Sequence, residues 1–97
     1  MDEVVTDDRL QKYLTLTEEA LGRLKIAVSA RGTLHAVARD MLRMAEDYCN
    51  DAKHFISEGR KVDAFACLNY AYGWIDAGAR TGLFDVGDDY KKFTLGK

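Results

Sequence analysis

Apolar residues recur through the first third of the chain at steps of three and four: Leu10, Tyr13, Leu14, Leu21, Leu24 and Val28. That spacing lays one stripe along a helix and predicts a first helix over residues 7–30. Thr6 stands where its hydroxyl can cap free backbone N–H groups, and Asp7 and Asp8 follow at the positive end of the helix dipole. Thr17 interrupts the stripe, so any kink is expected between Leu14 and Thr17. The run Ser29-Ala30-Arg31-Gly32 then reads as a turn, with glycine available for a left-handed backbone.

The second periodic segment predicts a helix over 34–58, capped by Thr33. Leu34, Val37, Ala38, Met41, Leu42, Ala45, Tyr48, Cys49, Ala52, Phe55 and Ile56 fall on one face, and Arg39, Arg43, Glu46, Asp47, Asn50 and His54 fall opposite. Gly59-Arg60 makes a short link, which obliges a third helix over 61–80 to return antiparallel. In that helix Phe65, Leu68, Tyr72, Ile75 and Ala79 form one stripe, but Cys67, Tyr70 and Trp74 point nearly the other way. No charge occurs over residues 64–75. A helix apolar on most of its circumference is normally buried on most of it, and two neighbours in a bundle cover only part. Trp74 therefore calls for cover from the tail, 81–97, which carries Phe84, Tyr90, Phe93 and Leu95, or from another chain.

The absence of proline and of any alternating β-branched run between turn signals excludes a sheet fold at this level of reading. The expectation is one all-α domain, residues 1–97, built as an up-and-down three-helix bundle whose C-terminal tail packs on or extends from the third helix. Ninety-seven residues suffice for a modest core without crosslinks. An apolar fraction of 47% and a charged fraction of 31% describe an ordinary globular chain. The acidic start MDEVVTDDR lacks a signal core and no run reaches membrane-spanning length, so a cytoplasmic location without membrane contact is expected.

A second layer of information lies in the residues Tyr48, Asp51-Ala52, Phe55, Gly59, Ala64, Asn69-Tyr70-Ala71, Gly73-Trp74, Asp76-Ala77-Gly78 and Leu83. With the long helix containing EEALGRLKIAV before them, they make the chain resemble the archaeal family called Domain of Unknown Function 357. The resemblance implies a compact up-and-down three-helix bundle in an archaeal cytoplasm. It implies no activity and no catalytic residue.

Candidate chemistry is sparse. Asn69, Tyr72, Asp76 and Arg80 share a side of the third helix and are the candidate ligand-binding residues; the competing reading makes Asp76 a polar tie held by Arg80, a tyrosine hydroxyl or an N–H group of the turn beyond. Asp51 and His54 have the spacing of a helical metal ligand pair, but with Asp47 and Glu58 they lie along an outward edge, so no metal site is expected. Cys49 and Cys67 sit singly in helices and read as packing residues. No nucleophile elbow, phosphate loop or cofactor motif occurs, so neither an enzyme nor a cofactor is expected. A net charge of −2 argues against nucleic acid as a partner, and Arg31, Arg39 and Arg43 are interspersed with Asp40, Glu46 and Asp47. Gly73 lies within a helix at a cost of about 1 kcal/mol against alanine, which points to close approach by another backbone or ring. The leading expectation is a non-enzymatic, self-associating protein-interaction module with Cys67, Tyr70 and Trp74 at its interface, partnered by its own kind or by another protein. The alternative is a small-ligand or nucleotide-related binding protein.

Overall fold

The computed structural model describes residues 4–87. Helix α1 spans Asp7–Arg23, α2 Thr33–Ser57 and α3 Lys61–Thr81; strands β1, Lys25–Ile26, and β2, Phe84–Asp85, make a short antiparallel ribbon. The fold is the expected all-α three-helix bundle with this ribbon added. Among the described residues no helix is long and apolar enough to cross a membrane.

The Thr6 hydroxyl accepts from the Arg9 N–H at 3.1 Å, so α1 starts where its cap predicts. The helix runs unbroken through Thr17, which is fully buried and donates its hydroxyl to the Tyr13 carbonyl at 2.8 Å. That bond satisfies the one polar group in the stripe without interrupting the helix.

The end of α1 differs from the expectation. It stops at Arg23 rather than near residue 30, because the next residues form β1 instead. Lys25 faces Asp85 and Ile26 faces Phe84 across the ribbon, and the Ala27 N–H donates to the Leu83 carbonyl at 2.9 Å. Burial alternates along this stretch: Leu24, Ile26 and Val28 are half-buried while Lys25, Ala27 and Ser29 are exposed. The alternating pattern read as absent is therefore present here, masked by a helical spacing that the same residues also satisfy.

Helix α2 is capped by Gly32 without a side-chain bond, and Thr33 is its first helical residue rather than its cap. Its C-terminus closes with paired turn bonds: the Arg60 N–H donates to the Phe55 carbonyl at 2.9 Å and the Gly59 N–H to Ile56 at 3.0 Å. Gly59 holds φ at 75°, the left-handed conformation this closure requires. The Leu83 and Gly82 N–H groups end α3 in the same way, on the carbonyls of Gly78 and Ala79.

Small residues at heptad spacing bring α2 and α3 together. Ala38, Ala45 and Ala52 on one helix and Ala64 and Ala71 on the other are fully buried, and Gly78 completes the second series. Helix α1 and the ribbon then pack on the α2–α3 hairpin over two adjoining clusters. Leu10, Leu14, Cys49, Ala52, Leu68 and Ala71 form the one nearer the Gly59 turn. Ala20, Ala45, Tyr72, Ile75, Phe84 and Val86 belong to the other. Exposed ion pairs between Lys61 and Asp7 at 2.9 Å and between Lys53 and Glu18 at 2.6 Å tie α1 to the hairpin and contribute little stability.

Candidate interaction surface

With its cover on one side, the hairpin leaves its other side to solvent. Leu34 and Val37, expected on the buried face of α2, are 56% and 44% exposed. Helical spacing groups them with the core residues, Leu34 on the line of the buried Ala45 and Ala52 and Val37 at the edge of that face; both lie in the first two turns of α2, before the run of buried residues that starts at Ala38. On α3 the large exposed apolar side chains are Val62 at 72% and Tyr70 at 62%.

Tyr70 does not stand alone. Its ring stacks on Tyr48 of α2 with centroids 5.3 Å apart and planes 29° from parallel, an offset geometry that favours the ring quadrupoles and extends a flat aromatic surface across the helix pair. Trp74, one turn further along α3, is half-buried and packs against the cluster containing Ile75 and Phe84, so its indole is partly sheathed by its own chain. Tyr90, Phe93 and Leu95, expected as alternative cover, lie outside the described residues. Cys67 is half-buried beside the cluster nearer the turn. Desolvation by burial raises its thiol pKa above the ordinary value, and the carboxylates of Asp51 and Asp63 add to the rise. Such a thiol is protonated near neutrality and serves as a packing group.

The rest of the solvent side of α3 is unusual for an outer helix. Ala66, Asn69, Tyr70 and Gly73 are exposed, and none is charged. A β-carbon built on Gly73 would meet nothing within 4 Å. The close neighbour expected for that glycine is thus not supplied by the described residues of the chain itself.

The four candidate ligand-binding residues do not share one environment. Tyr72 is turned into the core, Asn69 stands in solvent rather than beside the buried stripe, and Asp76 is joined to Arg80 through Nε at 2.8 Å. Arg80 also lines a shallow hollow with Ala79, Phe84, Asp85, Val86 and Gly87. His54 pairs with Glu58 at 3.2 Å rather than with Asp51. Among the described residues no three His, Cys, Asp or Glu side chains converge as a metal site would require. Arg39 and Arg43 share a shallow groove with Ile26, His35, Asp40 and Glu46, and Arg43 is paired with Asp40 at 2.6 Å, so acids break up the positive field as the sequence suggests.

These features define a small all-α bundle with one helix left unsheathed on its outer side and uncharged there over residues 64–75. The model of a protein family of unknown function, DUF357, matches residues 12–84. The chain belongs to that family. No curated protein and no solved structure matches it.

Proposed function

We infer that this chain is a non-enzymatic protein-interaction module that docks through the outer side of α3 and the adjoining edge of α2. One observation carries the reading. Over residues 64–75 α3 has no charge at any point of its circumference, yet Tyr70 within that span is 62% exposed. Outer faces of bundle helices are ordinarily charged, and an uncharged face bearing stacked aromatic rings has the composition of an interface core. Tyrosine and tryptophan supply large contact area at little cost in side-chain entropy, which suits Tyr48, Tyr70 and Trp74 to anchor a docked surface.

Site-specific photo-crosslinking tests this in cells. A photoreactive side chain replacing Tyr70 is expected to yield a discrete protein adduct, whereas the same group at Lys53, an exposed position paired with Glu18 of α1, is expected to yield none. An equal, diffuse yield from both positions would refute the reading.

A further inference from the structure

We propose that the trough between α2 and α3, on the side away from α1, receives a basic amphipathic helix of a partner protein, its apolar stripe seated between Tyr48 and Trp74 and its cations against Asp47 and Asp51. The proposal rests on the interaction reading above and adds the shape and charge of what docks.

The hairpin has two sides of the same kind. Two packed helices leave a trough on each side of their contact, and α1 fills one of them, where Leu10 and Leu14 cluster with Cys49, Ala52, Leu68 and Ala71. The opposite trough is apolar as well. On α2, Leu34, Val37, Met41, Met44 and Tyr48 recur at steps of three and four, all of them exposed or half-buried and none charged. On α3, Cys67, Tyr70, Trp74 and Ala77 do the same. From the stacked Tyr48 and Tyr70, equal steps along antiparallel helices bring Met44 level with Trp74 and Met41 level with Ala77. The two rows therefore line one trough rather than two separate faces.

Shape favours a helix as the occupant. From Leu34 to Tyr48 the trough runs about 20 Å, or about four turns of a docked helix, and walls that repeat every three or four residues match the same repeat on an incoming stripe. Met41 and Met44 add flexible side chains that adapt to what the partner presents. The docked helix completes a four-helix arrangement in which the hairpin is sheathed on both sides.

Charge selects the kind of helix. Asp47 and Asp51 stand three residues beyond Met44 and Tyr48 and so form the outer edge of the trough along α2. Both are exposed, and neither pairs with a cation among the described residues. The other acids of this region are engaged: Asp40 holds Arg43, Glu58 holds His54, and Asp63, at the turn end, holds Arg60. Over residues 64–75 the α3 wall offers no charge. An apolar trough with one edge of unpaired carboxylates complements a helix whose apolar stripe is bordered by lysine or arginine. A second copy of this chain, with a net charge of −2, is a poorer match.

Trp74 lies in the trough and is the one tryptophan of the chain, so its emission in the full chain reports directly on occupancy. The probe is a helix-forming peptide of about 18 residues in which leucines at heptad spacing make the apolar stripe and lysines flank it; its twin carries glutamate in place of lysine. The lysine peptide is expected to shift Trp74 emission to the blue and to saturate, with the glutamate twin weaker by at least about tenfold. Asp47→Lys with Asp51→Lys, or Tyr70→Glu alone, is expected to weaken the lysine peptide by at least about tenfold. Glu19→Lys with Glu46→Lys makes the same change in net charge away from the trough and is expected to weaken it by less than about threefold. All five positions are exposed, so the substitutions leave the core intact. Equal binding of the two peptides, or equal loss from the two charge-reversed pairs, overturns the proposal. So does an emission shift driven by protein concentration alone, which would seat a second copy in the trough, or binding gained only on removal of residues 88–97, which would seat that segment there. Where the lysine peptide does not bind but the Tyr70 crosslinker still captures a protein, the proposal falls and the interaction reading stands; where the crosslinker captures nothing either, both fall.

Discussion

The ring of Phe84 fills the space that a β-carbon on Gly78 would need. This fixes how the C-terminal end of α3 turns back into the ribbon: Gly78 also accepts the Leu83 N–H at 2.9 Å, so the residue that ends the helix and the residue that admits the ring are the same. Gly78→Ala is expected to destabilise the fold by about 1–3 kcal/mol, since the overlap is with the body of a buried ring and outweighs the helix-propensity gain of about 1 kcal/mol. Urea unfolding monitored by circular dichroism measures it; an increase in stability would show that the ring moves aside freely.

Gly73 predicts the opposite sign. The position is exposed and open, so Gly73→Ala is expected to stabilise the isolated monomer by about 0.5–1 kcal/mol. The measurement belongs at a concentration low enough to exclude association, and the two glycine variants are best compared in the same buffer. A Gly73→Ala variant less stable than wild type would contradict the open environment seen at this helix position.

Asp76 and Arg80 are joined at 2.8 Å, with side-chain exposures of 26% and 62%. The spacing of four residues suits the pair, and the exposure of the arginine limits its worth. A double-mutant cycle with Asp76→Asn and Arg80→Gln is expected to return a coupling of about 0.3–1 kcal/mol. A coupling of zero would remove the tie and leave the carboxylate to other neighbours.

Cys49 carries a pH dependence whose sign is fixed by its burial. Desolvation raises its thiol pKa above the ordinary 9.0, with Lys53 lowering and Glu18 raising it further. The folded chain therefore holds this proton more tightly than the unfolded chain. The resulting stability is complete below the unfolded thiol pKa and is lost as the pH rises through the folded one. Lys53 is raised as well, chiefly by its hydrogen bond to Glu18, and loses its contribution in the same direction. Thermal unfolding followed from about pH 7 to about pH 10 is expected to show a fall in Tm that is shallower in Cys49→Ala than in wild type. Equal slopes would place the thiol in a more solvated site than its 3% exposure indicates.

Much of this architecture is legible in the residues, and the exceptions share a cause. Helix α2 and the Gly59 turn follow from local spacing and from the need for a left-handed residue. The ribbon does not, because Leu21, Leu24 and Val28 satisfy a helical period while Leu24, Ile26 and Val28 satisfy a strand period. What decides between them is Phe84, a contact remote in sequence. The surface shows the same limit. Tyr70 and Trp74 stand out from composition, but their fates diverge, Trp74 half-sheathed by the core and Tyr70 left outside on Tyr48. Val62, Leu34 and Val37 could not be singled out, since a stripe on a helix does not say which neighbour will arrive to cover it. The polar cluster is the least legible: steps of three and four along one helix set Asn69, Tyr72 and Asp76 together, and a modest rotation about the axis sends one to solvent and another to the core.

The ribbon also sets an order of events. Helices α2 and α3 meet across a short turn and need little loop closure, whereas pairing Lys25 with Asp85 must first bring together points about 60 residues apart. The hairpin is then the early and durable part of the molecule and the ribbon its late clasp. Native-state hydrogen exchange should find the Ala27 amide, bonded to Leu83, opening at a lower free energy than amides in the middle of α2. Partial unfolding would thus loosen the covering layer first, leaving a helical pair whose alanine-lined contact outlasts the rest of the bundle.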